Sequence, residues 1–175
     1  MTNPSGRRLF FALWPDDDFR DELVRVTRPM TDIATGRLVP PENYHLTLLF
    51  LDHVPDADYD AVVAAGRAVQ FDGVSVELNQ WGVFEGPKVI WYGNATQSDA
   101  LVSIVEHLRN ALDGVVKLRR ERSFRPHVSL VRKQTELSEL APPEKLVWQA
   151  SDFVLVESVF GPGRAIYRVL ERFSG

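Results

Sequence analysis

His45-Leu46-Thr47-Leu48 and His127-Val128-Ser129-Leu130 carry one pattern: a histidine, an apolar residue, a small hydroxyl residue and a leucine. Side chains alternate along a strand, so in each segment the histidine and the hydroxyl share one face while the apolar neighbours point to a core. Each strand then shows one imidazole and one hydroxyl on an open face. A fold that brings the two together supplies two proton-transfer groups and two hydrogen-bond donors around one point, the set needed to cleave a phosphate ester without a metal. One such segment alone reads most simply as a partly buried histidine in a strand. The matched pair changes that reading, because the chain has four histidines and only these two share their surroundings. His53, in the loop-like Asp52-His53-Val54-Pro55, and His107, on an expected helix, read as structural or surface residues.

Working outward, Arg8 to Trp14 reads as a strand, and Pro15 with Asp16-Asp17-Asp18 as a stop followed by a helix start, the acids suiting the positive end of the helix dipole. That helix runs to about Arg28, with Phe19, Leu23 and Val26 on its apolar side. The first motif strand, Tyr44 to Leu51, is expected to place Tyr44, Leu46, Leu48 and Phe50 on one face. His45, Thr47, Leu49 and Leu51 then fall on the other. A second helix covers Asp56 to about Gln70. Val74 to Phe84 and Lys88 to Gly93 read as two strands joined through Glu85-Gly86-Pro87. A third helix runs from Ser98 or Asp99 to Leu112, with Gly114 just beyond it. Pro126 to Val131 is the second motif strand, and Asp152 to Phe160 with Ala165 to Phe173 form a closing hairpin around Gly161-Pro162-Gly163. Hairpin signals without regular βαβ alternation predict an α+β fold with antiparallel sheets. The element order hints at internal pseudo-duplication.

A chain of 175 residues is long enough for one well-buried core or two small lobes sharing an interface, so a single domain, residues 1–175, is expected. It has no cysteine, hence no disulfide, thiol nucleophile or cysteine-ligated zinc. No phosphate loop, metalloprotease helix or dinucleotide fingerprint occurs, and Asp, Glu and His are not clustered at ligand spacing. No metal and no cofactor are expected. The start lacks a secretory apolar region and no run approaches membrane-spanning length, so a cytoplasmic protein with no membrane partner is expected. Net charge is −4, yet Lys117, Arg119, Arg120, Arg122, Arg125, Arg132 and Lys133 surround His127 against the single acid Glu121. Such a run is either a solvated rim or a local field that draws a polyanion to the site.

The paired segments resemble the 2H phosphoesterase superfamily, and their surroundings resemble the RNA 2′,3′-cyclic phosphodiesterases, the 2′-5′ RNA ligase family. The narrower likeness rests on Arg8-Leu9-Phe10-Phe11-Ala12-Leu13-Trp14-Pro15, on Val39-Pro40-Pro41-Glu42-Asn43-Tyr44 leading into His45 to Leu51, and on Val89-Ile90-Trp91-Tyr92-Gly93. It continues with Phe124-Arg125-Pro126-His127-Val128-Ser129-Leu130, Leu155-Val156-Glu157-Ser158 and Tyr167, and so covers residue 7 to about 172. The sequence departs from the pattern at Ser129, where threonine is usual, and at Asp52, where glycine is usual and serves a turn.

The resemblance implies two pseudo-symmetric α+β lobes, with antiparallel sheets and flanking helices, around a central cleft holding one motif from each. It implies metal-free hydrolysis of a 2′,3′-cyclic phosphate, on RNA ends or small cyclic nucleotides, to a 2′-phosphomonoester. His45 is then the acid and His127 the base, although an approximate twofold makes the roles nearly interchangeable. Thr47 and Ser129 donate to the phosphate oxygens. Arg132 matches a family arginine that contacts phosphate, but simple alternation puts it on the face opposite His127, and a bulge would be needed to re-aim it. Arg125 has the parity of His127 and is a second candidate for anion contact. Tyr44, Trp14 and Phe11 could stack a base, but each reads more simply as core. A monomer is expected. Two other readings stay open: joining of RNA ends through a 2′-5′ linkage by the reverse reaction, and an RNA-binding module without turnover.

Overall fold

In the computed structural model, which describes residues 5–96, 98–120, 123–137 and 139–175, thirteen principal elements follow one another. They are β1 (Gly6–Leu13), α1 (Asp17–Thr31), β2 (Arg37–Leu38), β3 (Leu46–Pro55), α2 (Tyr59–Ala68), β4 (Val74–Leu78), β5 (Gln80–Phe84) and β6 (Val89–Gly93). α3 (Asp99–Ala111), β7 (His127–Arg132), β8 (Leu146–Ala150), β9 (Asp152–Gly161) and β10 (Arg164–Ser174) complete the chain. Eight strands form one antiparallel sheet in the order β10-β9-β1-β3-β7-β6-β5, with β2 against β7, while β4 and β8 form a second, two-stranded sheet. The fold is α+β, as expected.

The two motif strands are neighbours at the middle of the large sheet. β3 and β7 pair antiparallel at Leu46 and Val128, the apolar residues inside the two histidine segments, and both are fully buried. Strands β10-β9-β1-β3 lie to one side of this join and β7-β6-β5 to the other, so the join sits inside one continuous sheet.

Local chemistry sets the elements around it. Asp16 caps α1, its carboxylate accepting from the Phe19 amide at 2.8 Å, and Leu23, Val26, Thr27 and Met30 face the core. Ser98 caps α3 in the same way through the Leu101 amide at 3.2 Å, above buried Leu101, Ile104, Val105 and Leu108. Each cap satisfies an amide the helix leaves unpaired, typically worth about 1 kcal/mol. β1 is buried on both faces: Leu9, Phe11 and Leu13 enter the main core, while Phe10 and Ala12 join Val154 and Val156 in a second cluster.

Val74 to Phe84 is not one strand. The chain breaks at Asn79, and β4 leaves the large sheet to pair with β8. β8 shows only a five-residue alternation after Pro142-Pro143 and was not expected from the sequence. The buried Tyr92 hydroxyl ties this small sheet to β6: it accepts from the Leu146 amide at 3.1 Å and lies 2.7 Å from the carbonyls of Leu78 and Glu144. Burial pushes its phenol up to about 12.

Two matched bulges place the site. On β3, Phe11 faces Leu49 while Ala12 faces Thr47, leaving Leu48 as an extra residue. On β7, Ile90 faces Val131 while Trp91 faces Ser129, leaving Leu130 as an extra residue. Each bulge follows the motif hydroxyl by one position and resets the alternation. Leu49 and Val131 therefore enter the core, and Phe50 and Arg132 turn to the histidine side. Strict alternation assigns Leu49 and Phe50 the other way round. For Arg132 the bulge removes the parity conflict.

Candidate active site

His45, Thr47, His127, Ser129 and Arg132 line one cavity of about 880 Å³. The antiparallel register about Leu46 and Val128 sets His45 beside Ser129 and Thr47 beside His127. Arg125, which is exposed, lies instead on an adjoining cavity of about 420 Å³ that shares Thr47, Phe50 and His127 with the first.

Both imidazoles are held the same way. His45 Nδ1 lies 2.7 Å from the carbonyl of Asn43, and His127 Nδ1 lies 2.7 Å from the carbonyl of Arg125, in each case two residues back. A carbonyl only accepts, so Nδ1 carries the hydrogen and, in the neutral ring, Nε2 keeps its lone pair. The Thr47 hydroxyl, 3.0 Å from His45 Nε2, then donates to it.

Aromatic rings fix the imidazole planes. Trp14 stacks on His45, with Phe10 at 5.0 Å and Tyr167 edge-on at 5.2 Å between centroids. Phe84 stands edge-on to His127 at 4.8 Å, and Trp91 lies 6.1 Å away. Trp91 can spread beneath His127 because the residue facing it on β5 is Gly82, where any Cβ would collide with the indole.

This packing decides the charge state. Burial pushes His45 down to about 4, helped by the positive charges of His127 and Arg132 and opposed by the Asn43 carbonyl. Burial lowers His127 as well, again with Arg132 helping and the Arg125 carbonyl opposing. Near neutral pH both rings are neutral. A phosphate anion between them reverses the electrostatic part and raises both.

The sequence matches the 2′-5′ RNA ligase superfamily over residues 15–158. The chain belongs to that superfamily. An RNA 2′,3′-cyclic phosphodiesterase of Escherichia coli is 27% identical over 99% of this chain and 98% of its own length. One from Thermus thermophilus is 28% identical over 95% of this chain and 89% of its own. The crystal structure of E. coli LigT complexed with 3′-AMP superposes with a TM-score of 0.86 at 26% identity, covering 97% of this chain and 98% of that one.

Within this member of the 2′-5′ RNA ligase superfamily, sequence reasoning missed two residues that line the cleft, Phe50 and Phe84. Phe50 is 51% exposed there, and only the bulge at Leu48 reveals it. Of the suggested stacking residues, Phe11 and Tyr44 are core and Trp14 is taken up by His45. Asp52 holds φ of 55°, the left-handed conformation that a turn glycine would supply, and its carboxylate lies 2.6 Å from Arg119 Nε. Arg122 and Glu121 of the basic run lie outside the described residues. His53 belongs to β3, opposite Arg8, and is exposed, as is His107 on α3. Among the described residues no helix is long and apolar enough to cross a membrane.

Proposed function

We propose that the protein hydrolyses 2′,3′-cyclic phosphates, on RNA ends or small nucleotides, to 2′-phosphomonoesters by two-histidine acid/base catalysis without a metal. The observation that carries this is the pair of imidazoles in one cavity, each with Nδ1 fixed by a carbonyl, each beside a motif hydroxyl. The relatives named for that activity, alike over nearly the whole chain, support it.

His127 Nε2 accepts a proton from water as the water oxygen bonds to phosphorus. On the far side the bond to the 3′ oxygen breaks, and protonated His45 donates its Nε2 hydrogen to that oxygen. The phosphate stays on the 2′ oxygen. The His45 acid role follows the resemblance; because burial holds the unliganded ring down to about 4, it must take up its proton when the phosphate anion binds between the two imidazoles. Thr47, Ser129 and Arg132 face the non-bridging oxygens, where charge grows in the transition state. Among the described residues no three His, Cys, Asp or Glu side chains are grouped to hold a metal ion. The proposal takes the protein as a monomer in the cytoplasm.

Incubating the purified protein in EDTA with 2′,3′-cyclic nucleotides and RNA ending in a cyclic phosphate tests this. The expected product carries its phosphate at the 2′ position. A 3′-phosphate product, or activity that needs added zinc or manganese, would overturn the mechanism. Joined 2′-5′ products from RNA halves would show a 5′-hydroxyl replacing water as the nucleophile that opens the cyclic phosphate, an outcome that water at ordinary concentration disfavours.

A further inference from the structure

The cleft continues past the histidines along the β9–β10 hairpin. Its turn is tied back to the segment before β3: Arg37 Nη1 donates to the Gly163 carbonyl at 2.6 Å, and Asn43 Nδ2 donates to the Ala165 carbonyl at 3.3 Å. Register pairs Ser158 with Tyr167 and Phe160 with Ala165. Phe160 therefore shares the face of Tyr167, whose ring stands against His45. Paired residues of an antiparallel ladder project to the same side.

Phe160 is 80% exposed, so its ring contributes little to any core. The Arg8 guanidinium stands 5.9 Å from its centroid. Arg8, Arg37 and Arg164 line the same cavity as the histidines, and Asp52 is the one carboxylate among the described residues lining it. Glu42 meets Arg164 only at 4.0 Å. In a chain of net charge −4, this wall is a local concentration of cations beside an exposed aromatic face. That combination is what single-stranded nucleic acid binds, its bases stacking on the ring and its phosphates meeting the cations. The basic run near His127 fits the part less well, because Arg119 is turned onto the Asp52 carboxylate.

We propose that the hairpin wall binds the RNA chain upstream of the reacting end, with Phe160 stacking a base and Arg8, Arg37 and Arg164 facing its phosphates. The proposal rests on the function proposed above and narrows its substrate class to single-stranded RNA over mononucleotides. Arg37 also holds the hairpin turn, so the test leaves it in place.

Phe160→Ala and the double variant Arg8→Gln/Arg164→Gln are compared with wild type in two assays. One is turnover of a 2′,3′-cyclic mononucleotide and of a short oligoribonucleotide ending in a 2′,3′-cyclic phosphate. The other is fluorescence-anisotropy binding of a labelled oligoribonucleotide ending in a 2′-phosphate, which needs no turnover and so decides the proposal even if hydrolysis fails. Phe160→Ala is expected to weaken oligonucleotide binding roughly tenfold, with Phe160→Trp restoring it. The double variant is expected to flatten the slope of log affinity against log salt by about 1.4, roughly 0.7 for each single-strand phosphate that an arginine no longer neutralises. Mononucleotide turnover should be unchanged in both. Equal losses on mononucleotide and oligonucleotide would overturn the proposal. So would undiminished oligonucleotide binding in both variants, or a wild type that binds the oligonucleotide no better than a 2′-phosphomononucleotide.

Discussion

The indole of Trp14 lies parallel to the imidazole of His45, with centroids 5.3 Å and planes 9° apart. Together with Phe10 and Tyr167 it withholds water from the ring, and that desolvation is the main reason His45 falls to about 4. Trp14→Ala is expected to let water reach the ring and move the His45 midpoint upward, toward the ordinary value of 6.5. Histidine ring resonances followed by NMR across pH report it directly. An unmoved midpoint would show that Trp14 is not what desolvates the ring.

The pH dependence of activity follows from the same shifts. kcat/KM reports the unliganded enzyme, and its falling limb belongs to the higher of the two imidazole values. Both lie below 6.5, so that limb is expected below pH 6.5. The kcat profile should sit at higher pH, because bound phosphate raises both rings. Arg132 helps to lower both histidines, so Arg132→Gln should carry the kcat/KM limbs upward, whereas Arg125→Gln, outside the main cavity, should leave them in place. Profiles of kcat/KM that coincide for both variants would refute this separation.

On the proposed mechanism, replacing either histidine removes a group that acts mainly in the transition state. His45→Ala or His127→Ala should lower kcat by about 10²–10⁴-fold while the affinity for a 2′-phosphate product changes little. Turnover measured alongside equilibrium binding checks both halves. A variant that loses product affinity in proportion to kcat would instead mark that histidine as a binding residue.

How much of this is legible in the sequence depends on the element. The α+β class, the three helices and the closing hairpin come through because periodicity and caps are local signals, as at Asp16 and Ser98. The grouping of His45, Thr47, His127 and Ser129 is anticipated by the repeated pattern, and the structure places them in one cavity. Phe50 is not legible. Its direction depends on an extra residue, Leu48, that exists only relative to the register with β1, and a single strand carries no record of its partner's spacing. Arg132 depends in the same way on Leu130 and β6. The split at Asn79 is likewise settled by β8, which lies far away in the chain.

Stability should also depend on His45. Its folded value of about 4 lies below the unfolded 6.5, so the unfolded chain binds more protons between these values. The stabilisation is full above pH 6.5 and is lost as pH falls toward 4, by at most about 3 kcal/mol. Denaturant titrations at several pH values should show this decline, and His45→Gln should flatten it. An equal decline in the variant would assign the effect to other groups.

Asp52 separates backbone strain from charge. Its φ of 55° is costly for most residues, and its ion pair reaches an Arg119 side chain that is 84% exposed. A pair so open to solvent contributes at most about 1 kcal/mol. Asp52→Gly loses that contribution but suits the left-handed backbone, so stability should stay within about 1 kcal/mol of wild type. Asp52→Val loses the same pair and adds a β-branched side chain in a conformation that costs about 1–2 kcal/mol for residues bearing a Cβ. Each kcal/mol moves the Tm of a chain this size by about 2–4 °C, so melting curves resolve the two variants. If both melt together below wild type, the carboxylate and not the turn is what position 52 supplies, and the ion pair to Arg119 holds more of the structure than its exposure suggests.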